Sequence, residues 1–323
     1  MRVIITGGAG LIGKSLVQAL VPIGYEIIVL SRDPAQAARV FARDRPASVR
    51  AVGWDAHTDE GWGELVTRES AIVNLAGASP AHWRWISSYR ARILESRLGA
   101  GRAVMQAIER YGPPAVLVQA SASGYYGDRG QELLTEASLP GHGFRALVCQ
   151  QWEAATAQVH TRRCVIRTGI VLDTHSGALP PLLRFARLLG SRLGDGWQWL
   201  PWAHKEDVAS AIRFLLERPA LDGPFNLCAP RAVTNRRFIR TAQRILGGFP
   251  LFPLPAIALR VALGEMSSVM LDSQRLVPQR LVEAGFPFAY PEVHQALHHL
   301  LATNEPSCWN PVKRVGVAPV RWR

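Results

Sequence analysis

The chain has 323 residues, 48% of them hydrophobic, which is enough for a sizeable core in one α/β domain with a smaller lobe beside it. Its formal net charge of +12 comes from arginines spread along the whole length without a lysine-rich run, so charge alone does not point to a nucleic-acid partner. No stretch approaches the roughly 18 apolar residues of a membrane span, and the four scattered cysteines (Cys149, Cys164, Cys228, Cys308) form no CxxC pair, which argues for a reducing compartment and against a metal site.

The opening MRVIITGGAG runs directly into a strand, so a signal peptide is not expected and the chain reads as cytoplasmic. Arg2–Ile5, Glu26–Leu30, Ala71–Leu75 and Ala115–Ala120 read as strands, largely apolar as expected for a parallel sheet buried on both faces. Between the first two, Leu11, Ile12, Leu16, Ala19, Leu20 and Ile23 share one helical stripe. Ile86–Tyr111 is a long helix ended by Gly112-Pro113-Pro114; Phe144–Val159 is another, followed by the strand Cys164–Thr168. This alternation predicts an α/β Rossmann core with a doubly wound parallel sheet over residues 1–172. Glycine, proline and tryptophan then become frequent, a helix follows at Glu206–Glu217, and segments near 203–230 return to the core. Residues 173–301 are expected to form a smaller α-rich substrate lobe, with a small C-terminal domain near 250–301 and a tail at 302–323.

Val3 to Gly13 is a strand, a glycine-rich turn and a helix start, with GxxGxxG spacing at Gly7, Gly10 and Gly13. Gly7 permits the tight turn, Gly10 lets backbone approach a pyrophosphate at the helix N-terminus, and Gly13 allows close helix packing. Gly7, Gly10, Leu11, Ile12 and Gly13 are thus the candidate cradle of a dinucleotide. An NAD-selective site usually carries an acid at the end of the second strand. Here Ser31 and Arg32 stand there, a hydroxyl and a guanidinium suited to a 2′-phosphate, so NADP(H) is the expected cofactor; Asp33 keeps NAD possible.

These residues resemble the extended short-chain dehydrogenase/reductases, the group of the NAD-dependent epimerases and dehydratases: TGGAGLIG at the N-terminus, Asn74-Leu75-Ala76-Gly77 after a strand, and Ser121 to Asp128 after the next. Trp54-Asp55, Glu95-Ser96-Arg97, Trp152-Glu153, Arg167 to Leu172, His204 to Asp207, Gly223 to Asn226 and Pro278 to Leu281 resemble an atypical epimerase-like subgroup of largely unassigned substrate, sometimes labelled cell-division-inhibitor-like, with a small C-terminal domain. The resemblance implies that Ser31, Arg32, Asn74, Leu75 and Ala76 line the cofactor site, that Arg92 and Arg97 lie on the helix beside it, and that Trp54 and Asp55 close its adenosine side or simply pack.

Such enzymes usually carry YxxxK on the helix after the fifth strand. At the matching positions this chain has Cys149 and Glu153. A glutamate raises the pKa of a neighbouring thiol and cannot perform the lysine's electrostatic role, so the usual mechanism does not transfer. The candidate substitutes are Tyr125, Ser123 and Cys149 itself, with Ser121 and Tyr126 close by. His204 is expected to be structural, and Asp207 to shape the pocket or complement a helix dipole. His298-His299 is not at metal-ligand spacing, so no metal is expected. Trp197, Trp199 and Trp202 line a pocket or pack the lobe interface. The expected function is an NADP(H)-binding oxidoreductase or epimerase-like enzyme acting on a small molecule, as a monomer or homodimer, without nucleic acid or membrane; the alternative is a non-catalytic NADP(H) sensor or partner-binding protein.

Overall fold

The computed structural model describes residues 1–42, 48–80, 84–188, 190–247 and 252–302, so the expected tail lies outside the described residues from position 303 onward. Its centre is a seven-stranded sheet. Five strands come from the first part of the chain: β1 (Arg2–Thr6), β2 (Glu26–Ser31), β3 (Val49–Gly53), β4 (Ser70–Asn74) and β5 (Val116–Ala122). Arg163–Thr168 and Gly223–Leu227 extend the sheet beyond β5, and every pairing is parallel. From one edge the order is Gly223–Leu227, Arg163–Thr168, β5, β4, β1, β2, β3.

The continuous apolar runs follow from burial on both faces. Side chains alternate along a strand. Val3 and Ile5 of β1, Ile27 and Val29 of β2 and Val116 and Val118 of β5 therefore join one core, while Ile4, Ile28 and Leu117 join the other. The first core is roofed by helix α1 (Leu11–Leu20), whose Leu16, Val17 and Leu20 meet Ile212 and Leu215 of helix Lys205–Leu216. Helix α3 (Ser87–Tyr111) covers the second with Ala100, Ala103, Val104 and Ala107. Two further helices complete the core region, α2 (Pro34–Phe41) and α4 (Phe144–Ala154). The last is shorter than the pattern 144–159 suggests. The Arg163 guanidinium takes the Glu153 carbonyl and the Thr156 hydroxyl, which stops the helix there. β3 is an edge strand with only Val52 buried, so its sequence carries little of the apolar signal seen in its neighbours.

Beyond Leu172 the chain builds a separate lobe core from Leu179, Leu182, Trp202, Phe238, Ile239, Val293 and Leu297, among others. Trp202 is buried in it, Trp199 donates its indole N–H to Gln131 Oε1 at 2.7 Å, and Trp197 is 57% exposed. Helix Lys205–Leu216 joins this lobe to the sheet. His204 caps its start, with Nδ1 accepting the Glu206 N–H at 3.2 Å. That bond leaves the His204 proton on Nε2, which lies 3.2 Å from His299 Nδ1, and the ring stacks on Tyr290 with centroids 3.8 Å apart. Burial, then the nearby His299 and Lys205, push the His204 pKa down to about 2. Asp207 accepts the N–H groups of Ala289 and Tyr290 at 2.8 and 3.0 Å. Burial outweighs these bonds and raises its pKa to about 7. Asp207 thus holds the C-terminal segment in addition to sitting in the first turn of its helix.

Two outcomes follow. A Cβ added at Gly13 would lie 2.4 Å from both Cα and O of Gly8, backbone that cannot swing aside. Gly13→Ala should therefore cost about 1–3 kcal/mol or more, read as a lower urea midpoint. His204 stays neutral when folded but has the ordinary pKa of about 6.5 when unfolded, so its contribution is complete above that pH and is lost as pH falls toward 2. At pH 5 the loss is about 2 kcal/mol. Asp207 has the opposite sign: its contribution is complete below about pH 4 and is lost as pH rises through about 7. Urea midpoints at pH 7.5 and pH 5 should fall further in the wild type than in His204→Asn; an equal fall would assign the acid sensitivity to another group.

Candidate cofactor and catalytic site

The order of the strands reverses between β1 and β4, and the loops leaving their C-terminal ends, Gly7 and Leu75, face each other there. Gly7 has φ +66, and a Cβ on it would sit 3.0 Å from the Leu75 carbonyl oxygen. Gly10 begins α1 with no side-chain cap, no acid lies in the first turn, and a Cβ there would meet the Gly7 carbonyl at 3.2 Å. Open N–H groups at an uncapped helix start suit a pyrophosphate. Leu11 and Ile12 form the first turn and are partly buried. Gly8, outside the GxxGxxG positions, is equally constrained: a Cβ on it would lie 2.9 Å from Val29 Cγ1.

Beneath this cradle runs a buried hydrogen-bond chain. Ala76 N–H donates to Thr6 Oγ1 (3.1 Å), Thr6 Oγ1 to Asn74 Oδ1 (2.6 Å), Asn74 Nδ2 to Gln119 Oε1 (2.9 Å), and Gln119 Nε2 to the Ala120 carbonyl (2.9 Å). Asn74 is wholly buried, so it sets the floor of the crevice, with Leu75 and Ala76 continuing into the loop. Arg97 lies on α3 beside this loop, with its side chain buried. Its guanidinium turns inward, donates to the carbonyls of Ala78 and Ile93 at 3.1 and 2.8 Å, and lies 4.7 Å from the Trp152 ring. It braces the loop after β4, whereas Arg92 is exposed on the same helix. Trp54 packs edge-on against Trp62, and at the exposed Asp55 three hydrogen bonds from His57 and Thr58 outweigh a slight desolvation and hold the carboxyl below its ordinary range.

At the end of β2 the three polar residues have separate duties. Ser31 Oγ donates to the Asp33 carbonyl and accepts the Asp33 N–H. Asp33 caps α2, its Oδ1 accepting the Gln36 N–H at 2.8 Å. Arg32 is exposed and has no hydrogen-bond or ion-pair partner among the described residues.

Across the crevice, β5 ends in Ser121-Ala122, and residues Ser123–Tyr126 form a short 3-10 turn against α4. Cys149 is buried beneath that turn, with its Sγ 3.6 Å from the Ala122 carbonyl. Burial pushes its thiol up, against the pull of Arg145 and Arg97, which disfavours Cys149 as a base. Glu153, one turn on, is a half-buried counter-ion. Arg167 meets it with Nε and Nη2, each 2.9 Å from a carboxylate oxygen, and Ser121 Oγ donates to it at 2.7 Å. The same guanidinium donates to Tyr126 Oη at 3.0 Å and lies 3.5 Å from the centre of the Tyr125 ring. Tyr126 donates to Asn226 Oδ1 (2.8 Å), and burial raises its pKa far above the ordinary phenol value. Tyr125 is partly exposed, and its hydroxyl has no partner among the described residues. Ser123 is buried, and its carbonyl accepts from Gln274 of the lobe.

Arg167, Asn226, Gln274 and Arg145 were not singled out from the sequence as site residues. A signal existed for Arg167, because a glutamate at a lysine's position in a buried turn requires a cation on the neighbouring strand. Gln274 also donates to the Gly127 carbonyl, and Arg145 ion-pairs with Asp272 at 3.1 Å, so the lobe grips the turn that carries Tyr125. No metal cluster was expected from sequence spacing, yet the fold brings ligand atoms of His204, Glu206 and His299 within 4.8 Å of one another. Two of these groups have the bonds already described, and Glu206 accepts from Tyr290 Oη at 3.3 Å.

Comparison with known proteins gives this geometry a family. Residues 3–228 match the model of the NAD dependent epimerase/dehydratase family, and residues 254–300 match a domain of unknown function, DUF1731. The Arabidopsis thaliana chloroplastic epimerase family protein SDR39U1 homolog is 34% identical over 308 residues, covering 93% of this chain and 87% of that protein. Bacillus subtilis epimerase family protein YfhF is 32% identical, over 94% and 98%. The crystal structure of human epimerase family protein SDR39U1 (isoform 2) with NADPH is 30% identical and covers 94% of this chain and 100% of that one, with a TM-score of 0.82. Thermus thermophilus UDP-glucose 4-epimerase, solved with NAD, shares the fold at 22% identity and a TM-score of 0.71. The chain belongs to the NAD dependent epimerase/dehydratase family.

Proposed function

We propose that this protein is an NADP(H)-dependent oxidoreductase or epimerase-like enzyme in which Tyr125 replaces the missing acid/base pair. The observation that carries the cofactor reading is the division of labour after β2. Asp33 is committed to capping α2, while the exposed Arg32 offers an unpaired guanidinium where a 2′-phosphate would sit. The human relative crystallised with NADPH supports the same choice. Bound NADP(H) would supply or accept a hydride at its nicotinamide. The chain's own part is to hold the pyrophosphate on the N-terminus of α1 and to fix the floor through Asn74 and Ala76.

For the proton, Tyr125 is the group left available. Tyr126 and Glu153 are consumed by Arg167 and Asn226, and burial disfavours Cys149 as a base. The Arg167 guanidinium against its ring and the Gly141 N–H on its carbonyl (2.9 Å) fix Tyr125, so its hydroxyl is presented at a set angle to a substrate carbonyl or hydroxyl. A second reading rests on the same buried Cys149 and ion-paired Glu153: a protein that binds NADP(H) without turnover and reports it to a partner.

NADPH should bind at least tenfold more tightly than NADH by calorimetry, and Arg32→Glu should remove that preference; equal affinities in the wild type would overturn the cofactor assignment. Against a panel of carbonyl and nucleotide-sugar substrates, Tyr125→Phe should lower kcat/KM by about 10²–10⁴-fold, the usual worth of a general acid, while Cys149→Ser stays near wild type. The reverse pattern would return the chemistry to Cys149. NADPH binding with no turnover on any substrate would favour the second reading.

A further inference from the structure

Helix Asn235–Leu246 presents Phe238, Ile239 and Ala242 to the lobe core and a row of arginines outward. Arg236, Arg240 and Arg244 recur every four residues, with Arg237 beside them. All four line a cleft of about 540 Å³ whose other wall begins helix Val293–Ala302. Glu292 lines it too, but is already ion-paired with Arg231. Among the described residues none of the four guanidiniums has a carboxylate or hydrogen-bond acceptor of its own; Arg236 only overhangs the ring of Trp197, 5.4 Å from its centre. Trp197, also in the wall, is the tryptophan that is 57% exposed.

Helix stability does not call for this arrangement. Like charges four residues apart repel along a helix face, and although Arg244 in the last turn suits the helix dipole, Arg236 and Arg237 stand in the first turn, where the dipole disfavours cations. A solvated face is served by mixed charges. Four cations of one sign around a concavity, beside an exposed aromatic plane, instead match a ligand with several negative charges and a flat ring. The row from Arg236 to Arg244 spans about 12 Å of helix. The cleft's volume lies within the range of small-molecule sites, about 300–1,000 Å³, which favours one nucleotide over a polymer. None of its lining residues belongs to the Gly7 cradle or to the turn carrying Tyr125.

We propose that this cleft is a second nucleotide site, taking a nucleoside di- or triphosphate with its base on Trp197 and its phosphates on Arg240 and Arg244. The full chain, saturated with NADPH to fill the cradle, is titrated calorimetrically with ADP and separately with inorganic pyrophosphate. Both probes should bind saturably at one site. Arg240→Ala and Arg244→Ala should each weaken both probes tenfold or more. Trp197→Ala should weaken ADP by a similar factor and spare pyrophosphate. Arg240→Ala and Arg244→Ala should leave NADPH affinity unchanged, which separates this site from the proposed NADP(H) site. The substituted cleft residues are at the surface, and unchanged melting temperatures would confirm that the variants fold. The proposal is overturned if ADP gives no saturable binding to the NADPH-saturated chain, if the arginine variants bind as the wild type does, or if oligo-dT binds while ADP does not.

Discussion

Glu153 and Arg167 face each other at the end of the sheet with their side chains 15% and 6% exposed, and two parallel hydrogen bonds join them. A pair so poorly hydrated repays its desolvation only when its remaining donors and acceptors are also satisfied. Here Ser121 completes the carboxylate, while Tyr126 Oη and the Glu136 carbonyl complete the guanidinium. That requirement ties α4, β5 and the outer strands together, and through Asn226, which donates to the Val277 carbonyl, it reaches the lobe. It also explains why the usual lysine has no place on α4: an ammonium at position 153 would face Arg167 with no counter-charge.

The same pair decides which side chains remain free. Tyr126 is locked beneath the guanidinium and Tyr125 lies over it, so the two adjacent phenols have different fates. Gln274 and Asp272 then hold the turn from the lobe side, through the carbonyls of Ser123 and Gly127 and through Arg145. Placement of the turn that carries Tyr125 is therefore shared between the sheet and the lobe, and a change in how the lobe seats is felt at Tyr125.

Much of the core was legible in the sequence because its signals are local. Apolar runs such as Val3–Ile5 and Ile27–Leu30 identify strands buried on both faces, and the glycine spacing after β1 marks a crevice where a Cβ would strike backbone. What the sequence withheld depends on partners far along the chain. Arg97 reads as a cation beside the cofactor, and nothing local says that its guanidinium braces the Ala78 carbonyl. Cys149 reads as reactive until the turn at Ser123–Tyr126 covers it. His204 and His299 are 95 residues apart, so no spacing rule brings them together. β3 was missed for a different reason, since an edge strand needs few apolar residues.

The double use of the β2 terminus constrains how this protein's cofactor preference could change over evolution or in the laboratory. In an NAD-selective relative the acid in this region is free to take the ribose hydroxyls. Here Asp33 is the N-terminal anchor of α2. On the proposed NADP(H) assignment, removing Arg32 alone would weaken the grip on a 2′-phosphate without creating a grip on the ribose. Redirecting Asp33 would expose the start of α2 and cost about 1 kcal/mol of helix stability. A switch to NAD therefore has to pass through either a poor binder or a weakened helix, unless a new cap at the start of α2 is acquired first.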